Sequence, residues 1–102
     1  MFNFDIMIIQ KEIEKKLKAL KPTLSKSFYV DKIGYFGSFA RNEQTDKSDI
    51  DIIVSLNRPL GWAFFDLQAL LEKELDRKVD LVSIKALKEQ LREPILKEVK
   101  YV

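Results

Sequence analysis

The chain of 102 residues contains no cysteine and no histidine. Without a thiol there is no disulfide, no cysteine nucleophile and no thiolate zinc site. Without an imidazole there is no Ser-His-Asp triad and no histidine general base. Glycine and proline are scarce, at three each, so no Pro/Gly-rich linker divides the chain, and a single domain over residues 1–102 is expected. No apolar run approaches the roughly 20 residues of a membrane span. The opening Met1–Ile9 stretch is apolar but short, carries Asp5, and has no basic lead or small-residue cleavage site. No signal or membrane segment is expected, and a cytoplasmic location is the default. Charge of either sign is nearly balanced: 18 Lys and Arg against 16 Asp and Glu, net +2, with 46% hydrophobic residues. That suits a globular domain and gives no indication of direct nucleic-acid binding, which usually needs a clustered basic face. Any chemistry must therefore rest on carboxylates, hydroxyls, Lys or Arg, or backbone amides, with or without an oxygen-loving metal.

Apolar periodicity places the elements. Ile6, Ile9, Ile13, Leu17 and Leu20 predict an amphipathic helix, with Pro22 as its stop. Phe28–Phe36 is aromatic and β-branched and predicts a strand ending on Gly37, followed by a short helical turn and a polar loop. Asp49–Ser55 alternates and predicts a second strand; Trp62–Leu75 predicts a helix, and Lys78–Ser83 a third strand. A further helix is expected from Ile84 to about Arg92, ending before Pro94; the tail to Val102 carries no clear pattern. The fold class is α/β: a small mixed sheet flanked by helices.

The residues that carry chemistry lie close together. Gly37-Ser38 stands where a strand turns into a helix, and ten residues separate it from Asp49-Ile50-Asp51. In a strand Asp49 and Asp51 share one face while Ile50 and Ile52 face the core. Their Cβ atoms would lie roughly 7 Å apart, a spacing that suits carboxylates gripping one or two hard cations between them. Glycine allows close backbone approach at the turn. Ser38 offers a hydroxyl, and Arg41, one turn on, a charged fork for phosphate oxygens. Antiparallel pairing, favoured by the short connection, would bring these ends together as a triphosphate–magnesium complex requires. Asp80 lies between apolar neighbours in Lys78–Ser83. If that strand neighbours the second, it completes the cluster or takes the proton from an attacking hydroxyl.

GSFARNEQTDKSDIDIIV resembles the GS-x10-D-x-D signature of the minimal nucleotidyltransferases in the DNA polymerase beta-like superfamily. KVDLVS, ALKEQLREPILKE and the closing YV extend the likeness over nearly the whole chain. The resemblance implies the polymerase beta-like palm fold. It makes Gly37 and Ser38 the triphosphate-holding pair, Asp49 and Asp51 the metal ligands, Asp80 the third carboxylate and Arg41 a basic position of the small members. Mg²⁺, with two ions possible, and ATP are the expected cofactor and donor. Asn42 stands where relatives often carry Gly, and Asn tolerates left-handed backbone well.

Small members of the group are often paired with a helical HEPN-type partner in toxin–antitoxin systems, where a tyrosine of the toxin is adenylylated. The chain length leaves no acceptor-binding domain, so the acceptor is expected on such a partner. Two competing readings are a binding module that neutralises its partner by occlusion and transfer to a small molecule such as an aminoglycoside. Trp62 is expected in the core or an interface. The charged faces of Lys11–Lys18 and Lys85–Lys100 are expected to face solvent.

Overall fold

The helical spacing near the N-terminus closes into α1, Phe4–Phe28. The computed structural model describes residues 4–102 except Asp46, with α1 side chains described from Ile9 onward; Ile6 therefore lies outside the described side chains. Pro22 does not stop this helix, contrary to expectation: it lies inside α1 on an exposed face. An interior proline costs about 3 kcal/mol. Leu24 is completely buried beyond it, and Leu20 and Phe28 pack against the core. Full burial of a leucine contributes roughly 1.5–3 kcal/mol, so the packing beyond Pro22 offsets its cost. Phe28 accordingly ends the helix rather than opening a strand. The chain reverses at Tyr29 (φ 54), whose ring lies 3.7 Å from the Arg58 guanidinium.

Strand β1 (Val30–Phe36) then pairs antiparallel with β2 (Ile50–Leu56). Helix α2 (Ala63–Leu75) buries Leu67, Leu71 and Leu75 at four-residue steps and ends on the left-handed Asp76. It returns the chain to β3 (Val79–Ser83), parallel to β2. Ile33, Tyr35, Ile50, Ile52, Val54, Val79 and Leu81 form one face of the sheet, and the core is packed between it and α1 and α2. The opposite face carries Asp51 and Asp80 and, further along β2, the fully buried Ile53.

The C-terminal region departs from expectation. Ile84–Ala86 is only a 3-10 turn; the helix α3 begins at Glu89 and runs through Pro94 to Glu98. Lys88 is extended (φ −62, ψ 143), which separates the two, and its carbonyl accepts the N–H of Leu91 and of Arg92. Pro94 is tolerated because it and Gln90, whose carbonyl would have bonded its missing N–H, are both exposed. The tail adds a short strand, β4 (Lys100–Tyr101), antiparallel to β1, giving the sheet order β3-β2-β1-β4. Among the described residues no helix is long and apolar enough to cross a membrane.

Candidate active site

Register brings the chemistry together. Phe36, the last residue of β1, is paired with Asp51, and Asp51 is paired with Asp80 on β3. The Gly37 turn and both carboxylates therefore lie at one end of the sheet. Gly37 has φ 71 and begins a 3-10 turn, Gly37–Phe39. The Asp51 carboxylate rests against it: a Cβ built at residue 37 would stand 2.1 Å from Asp51 Oδ2. Ser38 is half-buried beside it, and its carbonyl accepts the Glu43 N–H at 2.9 Å. Asn42 is left-handed (φ 59), as its tolerance of that region anticipates. Asp49 stands exposed immediately before β2, and Asp80 is exposed between the buried Val79 and Leu81. Strand alternation, not burial, accounts for an aspartate between two apolar residues there.

The electrostatics report the same crowding. The Asp51 carboxyl is pushed up to about 6. Partial burial is the main cause, followed by the charges of Asp80 and Asp49 and a hydrogen bond with Asp80; Arg41 acts in the opposite direction. All six residues expected at the site thus lie in one neighbourhood. Crowded, mutually repelling carboxylate oxygens are donors of the kind a hard divalent cation takes, so the chemistry of these residues fits such an ion. Among the described residues no three carboxylates already converge as a coordination sphere.

Other participants were not legible as such. The Gly37 N–H donates to Glu98 Oε1 at 2.8 Å, and Arg41 Nη1 donates to both Glu98 oxygens at 3.1 Å. Arg41 Nε also donates to Glu43 Oε1 at 2.7 Å. Glu98 belongs to the charged C-terminal stretch expected to face solvent, and no local pattern marks it out. From α1, Gln10 Nε2 donates to the Phe39 carbonyl, and Glu14 accepts the Tyr35 hydroxyl. The polar face of α1 is therefore not merely solvated. Beside Asp49 a cleft is lined by Lys16, Lys47, Lys78 and Asp76. Trp62 is not a core residue: it is 85% exposed and lies against the exposed Phe65, ring centroids 5.8 Å apart. It precedes the first residue of α2, whose Phe65 and Asp66 are exposed as well.

A mixed sheet that gathers a glycine-serine turn and three aspartates at one end is the architecture of a nucleotidyltransferase. Residues 18–102 match the model of the family described as polymerase beta, nucleotidyltransferase, and the chain belongs to that family. It is 40% identical over 97 residues, 94% of this chain and 98% of the relative, to the protein adenylyltransferase MntA of Thermococcus cleftensis. Among solved structures it is similar to a toxin-antitoxin crystal structure with AMP-PNP (TM-score 0.73, 30% identity, 86% of this chain and 70% of that one). It is also similar to a chain of the tri-AMPylated Shewanella oneidensis HEPN toxin in complex with MNT antitoxin (TM-score 0.60, 26% identity, 94% and 70%).

Proposed function

We propose that this chain is an antitoxin-type protein adenylyltransferase that moves AMP from ATP onto a tyrosine hydroxyl of a HEPN-type toxin partner. The observation that carries the reading is the register of Asp51 with Asp80 beside the Gly37 turn. The similarity to MntA and to the toxin-antitoxin complexes supports the donor and the partner class.

Asp49, Asp51 and Asp80 are the residues that would hold Mg²⁺, as one ion or two. A cation held there would supply charge neutralisation for the phosphates and a lowered pKa for the attacking hydroxyl. Ser38 and Arg41 supply donors to the triphosphate oxygens, and Gly37 supplies the close approach that a side chain would block. The acceptor oxygen forms a bond to the α-phosphorus as the bond to the bridging oxygen of pyrophosphate breaks. Asp80, exposed beside Asp51, takes the hydroxyl proton. Catalysis here is chiefly positioning and charge stabilisation.

Thermal unfolding with and without Mg²⁺-ATP, for the wild type and for Asp49→Asn/Asp51→Asn, tests the site. Ligand at about a hundred times its dissociation constant adds roughly 2.7 kcal/mol. Each kcal/mol moves the midpoint of a domain this size by about 4–8 °C. The shift is expected in the wild type and not in the variant. Label from α-³²P-ATP is expected on the partner toxin, and its transfer by the double variant at the wild-type rate would overturn the carboxylate assignment.

A further inference from the structure

Glu98 makes three hydrogen bonds, all to groups that the reading above assigns to the triphosphate site: one from the Gly37 N–H of the turn and two from Arg41 Nη1 just beyond it. Its side chain is 28% exposed, whereas that of Arg41 is 50% exposed. A carboxylate mostly withdrawn from water and satisfied on both oxygens is a fixture rather than a mobile gate. Its origin in the chain reinforces this. Glu98 ends α3, and Val99 leads directly into β4, which is held on β1 by the pairs Gly34–Tyr101 and Tyr35–Lys100. That pairing is close because residue 34 has no side chain: a Cβ there would lie 2.7 Å from Val99 Cγ1 and 2.8 Å from the Lys100 carbonyl oxygen. Glu98 thus arrives beside Gly37, three residues beyond Gly34, on a segment clamped to the same strand.

We propose that Glu98 is a positioning residue for the donor phosphates, holding the Gly37 turn and the Arg41 guanidinium in one fixed arrangement. Glu98 takes Arg41 through Nη1 and Glu43 takes it through Nε, so among the described contacts Nη2 is the donor that remains for a phosphate. The Gly37 N–H is committed to Glu98, which fixes the direction in which Ser38 enters the site. The proposal rests on the reading of Ser38 and Arg41 as phosphate ligands, and it adds a residue from the far end of the chain that touches no substrate itself.

Isothermal titration with Mg²⁺-ATP and with Mg²⁺-tripolyphosphate tests it, on the wild type, Glu98→Gln, Glu98→Ala, Arg41→Ala and the Glu98→Ala/Arg41→Ala double variant. Glu98→Ala is expected to weaken both ligands by about tenfold, the scale of one charge-assisted hydrogen bond. Glu98→Gln keeps an acceptor for the Gly37 N–H and loses the charge facing Arg41, so it is expected to weaken them less. In the Arg41→Ala background the loss from Glu98→Ala should shrink, because part of it acts through the guanidinium. Lower thermal stability with unchanged affinities would make Glu98 merely structural and overturn the proposal. Tighter binding in either Glu98 variant would make it a competitor of the phosphates and overturn it too. If Glu98→Ala does not fold, the Gln variant decides alone. A wild type that binds neither ligand would instead bring down the donor reading, and the positioning role with it.

Discussion

The Asp51 carboxylate occupies the place where any side chain at position 37 would be, with Oδ2 only 2.1 Å from a Cβ built on Gly37. The turn and strand β2 are thereby fitted to each other. Gly37→Ala meets two costs of different kinds. At φ 71 an alanine is strained by about 1–2 kcal/mol. The contact itself is with the end of a rotatable side chain, so Asp51 swings aside and the fold survives. A carboxylate displaced by on the order of 1 Å loses about 10²-fold in rate. The expected result is a modest fall in Tm with a far larger fall in kcat/KM for AMP transfer. Near-wild-type turnover would show that the Asp51 carboxylate tolerates the displacement.

Asp51 also predicts a pH dependence. Its folded-state pKa is raised from 3.8 to about 6, so the folded protein binds this proton more tightly than the unfolded chain does. Its stabilising contribution is complete below about pH 4 and is lost as pH rises through about 6. Because the group is half-exposed, the effect after screening is on the order of 1–2 kcal/mol. Asp51→Asn carries no such titration. In the absence of metal it should be more stable than the wild type at pH 7.5, and the difference should vanish near pH 4. Denaturant melts at the two pH values measure this, and a difference independent of pH would mean that the carboxylate is not crowded. Added Mg²⁺ should stabilise the wild type at pH 7.5 and leave the variant unchanged.

Strand alternation made the candidate site readable before the fold was known. Asp49-Ile50-Asp51 and Val79-Asp80-Leu81 each announce one apolar and one polar face, and a short connection after Gly37 implies an antiparallel return. What alternation cannot give is register, yet register is what opposes Asp51 to Asp80 and Phe36 to Asp51. Proline was the misleading signal. Pro22 and Pro94 lie inside helices because their orphaned carbonyls are on exposed turns, a tertiary circumstance invisible to local rules. Glu98 was hidden for a related reason. Its partners are 61 and 57 residues away, and only the two-residue strand after it brings them near.

Tyr35 and Glu14 predict a change confined to stability. The Tyr35 ring is buried in the core and its hydroxyl donates to the Glu14 carboxylate; burial first, then Glu14, raises its pKa well above the ordinary tyrosine value. The phenol stays neutral throughout the working range and serves as a tie between α1 and β1. Tyr35→Phe removes a hydrogen bond to a charged acceptor, which is worth about 1.5–3 kcal/mol. Glu14 is half-exposed and regains water, so the lower end is expected, a fall in Tm of roughly 6–12 °C. Mg²⁺-ATP affinity measured below the transition should not change. A weakened affinity would mean that this tie extends to the site through the neighbouring Gln10–Phe39 contact.

Gly34 makes the most demanding prediction, because it joins stability to function through backbone alone. Its φ is not in the left-handed region, so alanine is conformationally acceptable there. The obstacle is space: a Cβ would lie 2.8 Å from the Lys100 carbonyl oxygen and 3.1 Å from Tyr101 Cα. Those are main-chain atoms of β4, which cannot rotate away as a side chain does. β4 must therefore move off β1, at a cost of about 1–3 kcal/mol. In moving it withdraws Glu98 from Gly37 and Arg41. Gly34→Ala is thus expected to speed amide exchange at Val102, whose N–H bond to the Ile33 carbonyl would be lost. It should also weaken Mg²⁺-tripolyphosphate as Glu98→Ala does, although residue 34 lies three positions before the turn. Combined with Glu98→Ala it should add little, since both act by removing the same carboxylate. A protected Val102 amide in the alanine variant would refute the steric argument; lost protection with full phosphate affinity would separate β4 from the site.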